Sequence, residues 1–255
     1  MTALSAGDVV LLLAAGLGAG TVNGVAGGGT LVSFPALLAT GMPALQANVT
    51  STAGIWPGYL GGVAGFGSEV REQPRRRLGL LSGAAMAGAV IGSVLLLVTP
   101  AGAFKTLAPY LVLAACVLFA VQPLISRRVT APLGEVTDGH VGIAAAGTFL
   151  GSVYGGYFGA GLGVMLLALL ALTVPDDLVR TNGLRAVLSL VVNLVAAAVF
   201  LVAAHVAWAD AGLLAGSSLI GGYFGARLAR RLPPMVFRVL VVALGLVTSA
   251  RLLAG

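Results

Sequence analysis

Two apolar stretches, residues 9–40 and 141–172, each run 32 residues and are each interrupted by glycines, Gly27–Gly29 in the first and Gly159, Gly161 and Gly163 in the second. At ~1.5 Å per helical residue such a stretch reaches about 48 Å, too long for one crossing of a ~30 Å hydrocarbon core and too short for two. Glycine costs roughly 1 kcal/mol in a helix interior relative to alanine. In lipid, an unwound backbone must also find partners for its N–H and C=O groups. The pattern predicts a helix that enters, breaks at its glycines and returns to the side it came from. Six further apolar segments, at 45–66, 78–99, 104–125, 183–204, 211–232 and 235–254, have the length of single crossings.

Charged residues are only 9% of the chain and hydrophobic ones 58%. A soluble domain carries about 25% charged residues, so the soluble reading is excluded. The formal net charge of +6 then marks cytoplasmic loops and implies no nucleic-acid partner. The single cysteine, Cys116, sits inside an apolar run; it excludes an internal disulfide and reads as packing. The N-terminal stretch has no basic region ahead of its apolar residues and no A-x-A site, so no cleaved signal peptide is expected.

The two halves share more than their glycine breaks. GTVNG at 20–24 aligns with GSVYG at 151–155, and residues 88–107 align with 221–240 at a constant offset of 133. Gly88, Gly92, Pro100, Phe104 and Lys105 then coincide with Gly221, Gly225, Pro233, Phe237 and Arg238. This is the mark of a duplication, and loop charge sets the relative orientation of its copies. With eight single crossings, Arg71, Arg75, Arg76, Arg77, Arg127, Arg128 and Arg251 face Lys105, Arg180, Arg185, Arg227, Arg230, Arg231 and Arg238, an even split. With both 32-residue segments re-entrant, only Lys105 and Arg251 stay on the outer side. The positive-inside rule favours the uneven split. We therefore expect an all-α integral membrane protein of two inverted repeats, each a Gly-broken helical hairpin followed by three transmembrane helices. The N-terminal repeat spans 1–125, a cytoplasmic linker 126–140, and the C-terminal repeat 141–255.

The string GTVNGVAGGGTLVSFPALLATGMPALQANVTS (20–51), with GSVYGGYFGAGLG (151–163), TNGLRAVLSLVVN (181–193), HVAW (205–208) and GGYFGARLARRLP (221–233), resembles the sulfite exporter TauE/SafE family over nearly the whole chain. It departs from the family pattern twice: the second glycine cluster lacks a counterpart of Pro35, and Arg185 stands where the family more often has lysine. The resemblance implies a multi-pass protein of the cell inner membrane that exports a small anion such as sulfite, an organosulfonate or a related sulfur-containing anion. Its partners would be that anion and the lipid bilayer, and a homo-oligomer stays open.

The residues themselves offer two kinds of anion ligand. A helix that restarts after an unwound turn points N–H groups and its positive dipole end at whatever sits there. Gly27, Gly28, Gly29, Gly159, Gly161 and Gly163 either build such tips or merely allow close helix packing, the reading preferred for Gly88, Gly92, Gly221 and Gly225. Asn48, Thr50 and Ser51 open the second apolar segment, and Asn182, Arg185 and Asn193 open its repeat mate. Asn182, Arg185, Ser189 and Asn193 are spaced 3, 4 and 4 apart and line one helix face. Thr50, Ser51 and Ser189 also fit hydroxyls bonded to their own helix. Arg185 either serves the anion or snorkels to the nearby surface.

The acids and histidines all lie at segment ends or in loops, so no proton relay, metal cluster or catalytic set is expected inside the membrane, and no cofactor. An intramembrane enzyme or a non-transporting assembly subunit is the alternative. It would need a catalytic constellation or a partner surface.

Overall fold

Glycine's cost in a helix interior shows first in residues 20–41. In the computed structural model, which describes residues 4–25, 27–128, 138–174, 176–228 and 234–254, α1 (Ala6–Val25) stops ahead of Gly27 and α2 (Thr30–Ala39) starts after Gly29. The second glycine cluster does the same between α7 (Asp138–Tyr157) and α8 (Leu162–Thr173). The Gly27 N–H closes on the Val22 carbonyl at 3.0 Å and the Gly159 N–H on the Tyr154 carbonyl at 3.3 Å. Both glycines have positive φ, +72° and +76°, a region costly for any residue with a Cβ.

One side chain latches each break, from matching places in GTVNG and GSVYG. Asn23 Oδ1 accepts the Gly29 N–H at 2.6 Å, six residues on. The Tyr154 hydroxyl donates to the Ala160 carbonyl at 2.6 Å, also six residues on. The arms are unequal. The first arms hold 20 residues each and the returning arms 10 and 12, about 15–18 Å of helix.

Between the hairpins run α3 (Ala44–Gly65), the short α4 (Gly67–Arg71), α5 (Arg75–Val98) and α6 (Ala101–Arg128). After the second hairpin come α9 (Leu178–Ala203), α10 (Trp208–Leu228) and α11 (Pro234–Ala254). The hydrophobic pattern did not mark α4, which is one short polar turn. Of the linker expected at 126–140, α6 takes the start and α7 the end, and residues 129–137 lie outside the described ones. Among the described residues four helices, α1, α5, α6 and α9, are long and apolar enough to cross a membrane. α3 has the length, 22 residues, but Gln46, Asn48, Thr50, Ser51 and Thr52 lower its hydropathy.

Packing repeats with the halves exchanged. α1 lies along α10 as α7 lies along α5, α3 meets α10 as α9 meets α5, and α2 touches α11 as α8 touches α6. Glycines set the closest approaches: a Cβ on Gly20 would stand 2.0 Å from the Ser218 carbonyl oxygen, one on Gly221 2.2 Å from that of Leu17, and one on Gly92 2.0 Å from that of Val153. Gly88 likewise abuts the Phe149 carbonyl. The packing role expected of Gly88, Gly92 and Gly221 is what the contacts show; the surroundings of Gly225 lie outside those described. Cys116 is buried and fills the space over Gly245.

The polarity of the bundle is that of a membrane protein. Large apolar side chains such as Val10, Val98, Leu150, Val202 and Val239 are exposed, while Asn23, Ser33, Asn48, Arg185 and Asn193 are buried. With several long apolar helices, this is a multi-pass membrane protein.

Candidate functional site

The two hairpins meet at their tips. The Gly163 N–H, in the first turn of α8, donates to the Gly27 carbonyl at 3.0 Å. Phe34 of α2 packs edge-on against Phe158 of the second turn, ring centroids 5.4 Å apart. A Cβ on Gly159 would lie 3.8 Å from the Thr30 hydroxyl.

Arg185 closes this junction from α9. A Cβ on Gly27 would fall 2.6 Å from the Gly163 Cα and 2.7 Å from Arg185 Nη1, so the guanidinium lies directly against the first tip. The side chain is 1% exposed and does not snorkel. Nε, Nη1 and Nη2 are all buried without a hydrogen-bond partner. Among the described residues, ion pairs engage Arg77 and Arg180 but not Arg185. An uncompensated buried charge costs several kcal/mol. A planar, five-donor cation with no acceptor in reach is complementary to an anion whose oxygens sit on one atom.

The rest of the α9 face behaves as its spacing requires. Ser189 is 1% exposed and its hydroxyl is unpartnered; Asn193 is 2% exposed and its amide donates back to the Ser189 carbonyl at 2.9 Å. Asn182, in the second turn, is half-buried.

On α3, the Asn48 amide donates to the Tyr157 carbonyl at 2.9 Å and leaves its Oδ1 buried and unpaired. Thr50 accepts the Ala207 N–H at 3.1 Å, holding the turn into α10, and Ser51 bonds Ser33 of α2 at 2.6 Å. Gly28 is filled over by the Phe119 ring and Gly161 rests near Ala115. Of the residues read from the sequence, Gly27, Gly163 and Arg185 are brought into contact. Thr50 and Ser51 knit helices together instead.

Tyr59 escaped the sequence reading. It is 2% exposed, its hydroxyl is unpartnered, and it stands beside Asn193 in the field of Arg185. Its distance of 11 from Asn48 is three helical turns, a signal hidden by the small residues around it.

At one end of the bundle, polar contacts tie the segment around α4 to the start of α9. Arg77, at the start of α5, pairs with Asp176 at 2.7 Å, both side chains largely buried. Arg77 also donates to Gln73 Oε1 at 2.8 Å, and Gln73 Nε2 donates to the Arg180 carbonyl at 3.2 Å. Arg180 pairs with Glu72. A Cβ on Gly183 would lie 3.1 Å from the Glu69 Cβ, so α4 rests on the opening turns of α9. Asp177 caps that helix, accepting the Val179 and Arg180 N–H groups. At the opposite end a cavity of about 480 Å³ opens between α3, α5 and α9, lined by Leu45, Gln46, Val49, Leu97 and His205 among others.

Residues 12–252 match the model of a family described as sulfite exporter TauE/SafE. A Sinorhizobium protein named "Probable membrane transporter protein ORF9" is 28% identical, over 96% of this chain and 92% of its own length. A "Probable membrane transporter protein" of Haemophilus influenzae is 26% identical, over 96% and 94%. The Escherichia coli "Probable membrane transporter protein YfcA" is 24% identical, over 92% and 86%. No solved structure gives a significant match.

Proposed function

This chain belongs to the sulfite exporter TauE/SafE family of membrane transporters, not of enzymes, and from that premise we propose that it carries a small oxyanion bound by Arg185 where its hairpin tips meet. The observation that carries this is the buried guanidinium with three unpartnered nitrogens, set against Gly27. Gly27 and Gly163 shape the junction, and Asn48, Asn193 and Asn182 would supply neutral hydrogen bonds that orient the anion. The Gly29 and Gly163 N–H groups already have protein acceptors, so the full charge of Arg185, more than the helix ends, attracts the ligand. The sulfur-containing class named by the family is the first to test, with export from the inner membrane as the direction.

An inverted repeat is the architecture proposed for alternating access. The exchange-symmetric packing supports it, and so does the Arg77–Asp176 pair. With every apolar segment crossing once, residues 66–77 and 173–180 would lie on opposite sides of the membrane, some 30 Å apart. Re-entrant hairpins put both on one side.

The test is anion flux into proteoliposomes for sulfite, organosulfonates, acetate and chloride, with anion affinity of purified protein beside it. Arg185→Ala should lower oxyanion affinity ten- to a hundredfold, the worth of a charge-assisted hydrogen bond of about 1.5–3 kcal/mol. Arg185→Lys, which keeps charge but loses the fork, should fall between. Wild-type affinity in a monodisperse Arg185→Ala protein would remove the site.

A further inference from the structure

Tyr59 is the second buried donor without an acceptor at this junction. It is contributed by α3, from the other half of the chain than Arg185. A phenol is kept in an apolar bundle at a cost unless its hydroxyl finds a partner, and phenylalanine would fill the same space without that cost. The hydroxyl lies close to the Asn193 side chain and in the field of Arg185, and it closes no hydrogen bond of good geometry. Ser189, one turn beyond Arg185 on α9, adds a third unpartnered donor group, a hydroxyl in a residue 1% exposed. These buried groups come from two helices that pack on each other, and donors are what they have in excess.

We infer that Tyr59 is a ligand of the transported anion, donating its hydroxyl to an oxygen that the Arg185 fork does not hold, and that it selects sulfite and sulfonates over carboxylates and halides. This rests on Arg185 being an anion ligand. The fork alone is satisfied by two oxygens on one atom. A donor approaching from a different helix needs a further oxygen, which a sulfonate or sulfite offers and a carboxylate, with both oxygens on the fork, does not. A monatomic halide held by the fork has no second atom for the phenol to engage. Tyr59 is thus a specificity residue as well as a binding one.

The experiment is the affinity of purified full-length wild type, Tyr59→Phe, Ser189→Ala and Arg185→Ala for sulfite, methanesulfonate, acetate and chloride, with thermal unfolding recorded for each. Tyr59→Phe should weaken sulfite and methanesulfonate roughly ten- to a hundredfold and leave acetate and chloride nearly unchanged, collapsing the selectivity ratio. Its unfolding temperature should stay level or rise, since an unpaired buried hydroxyl is removed; a merely structural tyrosine would lower it and leave the ratio alone. Unchanged sulfite and methanesulfonate affinity and selectivity in Tyr59→Phe, with binding lost in Arg185→Ala, would overturn the inference and leave the Arg185 site standing. Binding unchanged in both variants, or absent from the wild type, would overturn both.

Discussion

An alanine at Gly27 would have to hold φ at +72° and put its methyl 2.6 Å from the Gly163 Cα and 2.7 Å from Arg185 Nη1. Backbone cannot yield as a flexible side chain would, so the hairpin tips must part. Gly27→Ala is expected to abolish anion binding and to lower stability by more than the ~1–2 kcal/mol of left-handed strain alone. Gly41→Ala separates the two causes: its φ is +86° with nothing within 4 Å of a new Cβ. That variant should lose only the strain and bind normally, which parallel melting and affinity measurements will show. At this scale the sequence was legible where a residue contradicts its surroundings. Arg185 stood out because a charge in an apolar run needs a reason, and the structure shows it buried rather than at the surface. Tyr59 did not stand out, since an aromatic in an apolar run satisfies every local rule. Only its unpartnered hydroxyl, a tertiary fact, sets it apart.

Among the elements, the breaks of both hairpins could be read from the length of their segments and the glycine clusters. Their unequal arms could not, because where a helix ends depended on six-residue latches from Asn23 and Tyr154 that a periodicity does not register. α4 was hidden for a different reason. It is too short and polar to leave a hydrophobic pattern, and the chain beside it is held by Gln73–Arg180, Arg77–Asp176 and Glu72–Arg180 contacts that join segments about a hundred residues apart. These contacts cover the opening turns of α9. Reversing the charge at Arg77 or at Asp176 should destabilise this end, and the double swap Arg77→Asp with Asp176→Arg should recover it. A double-mutant cycle on thermal or denaturant unfolding should return a coupling of about 1–3 kcal/mol. Strictly additive single changes would show that the pair does not tie the two segments together.

For the whole molecule, loop charge and the ion pair point to the same arrangement by independent routes, one from sequence and one from contact. In a Cys116→Ala background, an impermeant thiol reagent added to intact cells should label Ala204→Cys and spare both Ser68→Cys and Asp177→Cys. Eight single crossings require Ser68→Cys and Asp177→Cys to respond oppositely, so agreement between those two sites decides the topology whichever way the whole is oriented. What the sequence could not supply at this scale is which helices touch across the halves. Small-residue spacing says that a helix can be approached closely but not by which partner.

The unpaired charge of Arg185 also has an electrical meaning. If Arg185 is the anion ligand proposed above, the empty site carries one positive charge within the bundle, a site holding a monovalent anion carries none, and the membrane field does work on that difference. In an alternating-access cycle the loaded passage would then be nearly indifferent to voltage, and the return of the empty site would be the voltage-sensitive stroke, worth about 2.3 kcal/mol per 100 mV for a full charge crossing the whole field. For the export direction proposed above, a potential negative inside would draw the vacant site back toward the interior to reload. Voltage steps on substrate-free membranes should therefore evoke transient charge movements that saturating monovalent anion suppresses and Arg185→Ala abolishes. Steady transport lacking any such transients would mean that the guanidinium stays fixed in the field throughout the cycle.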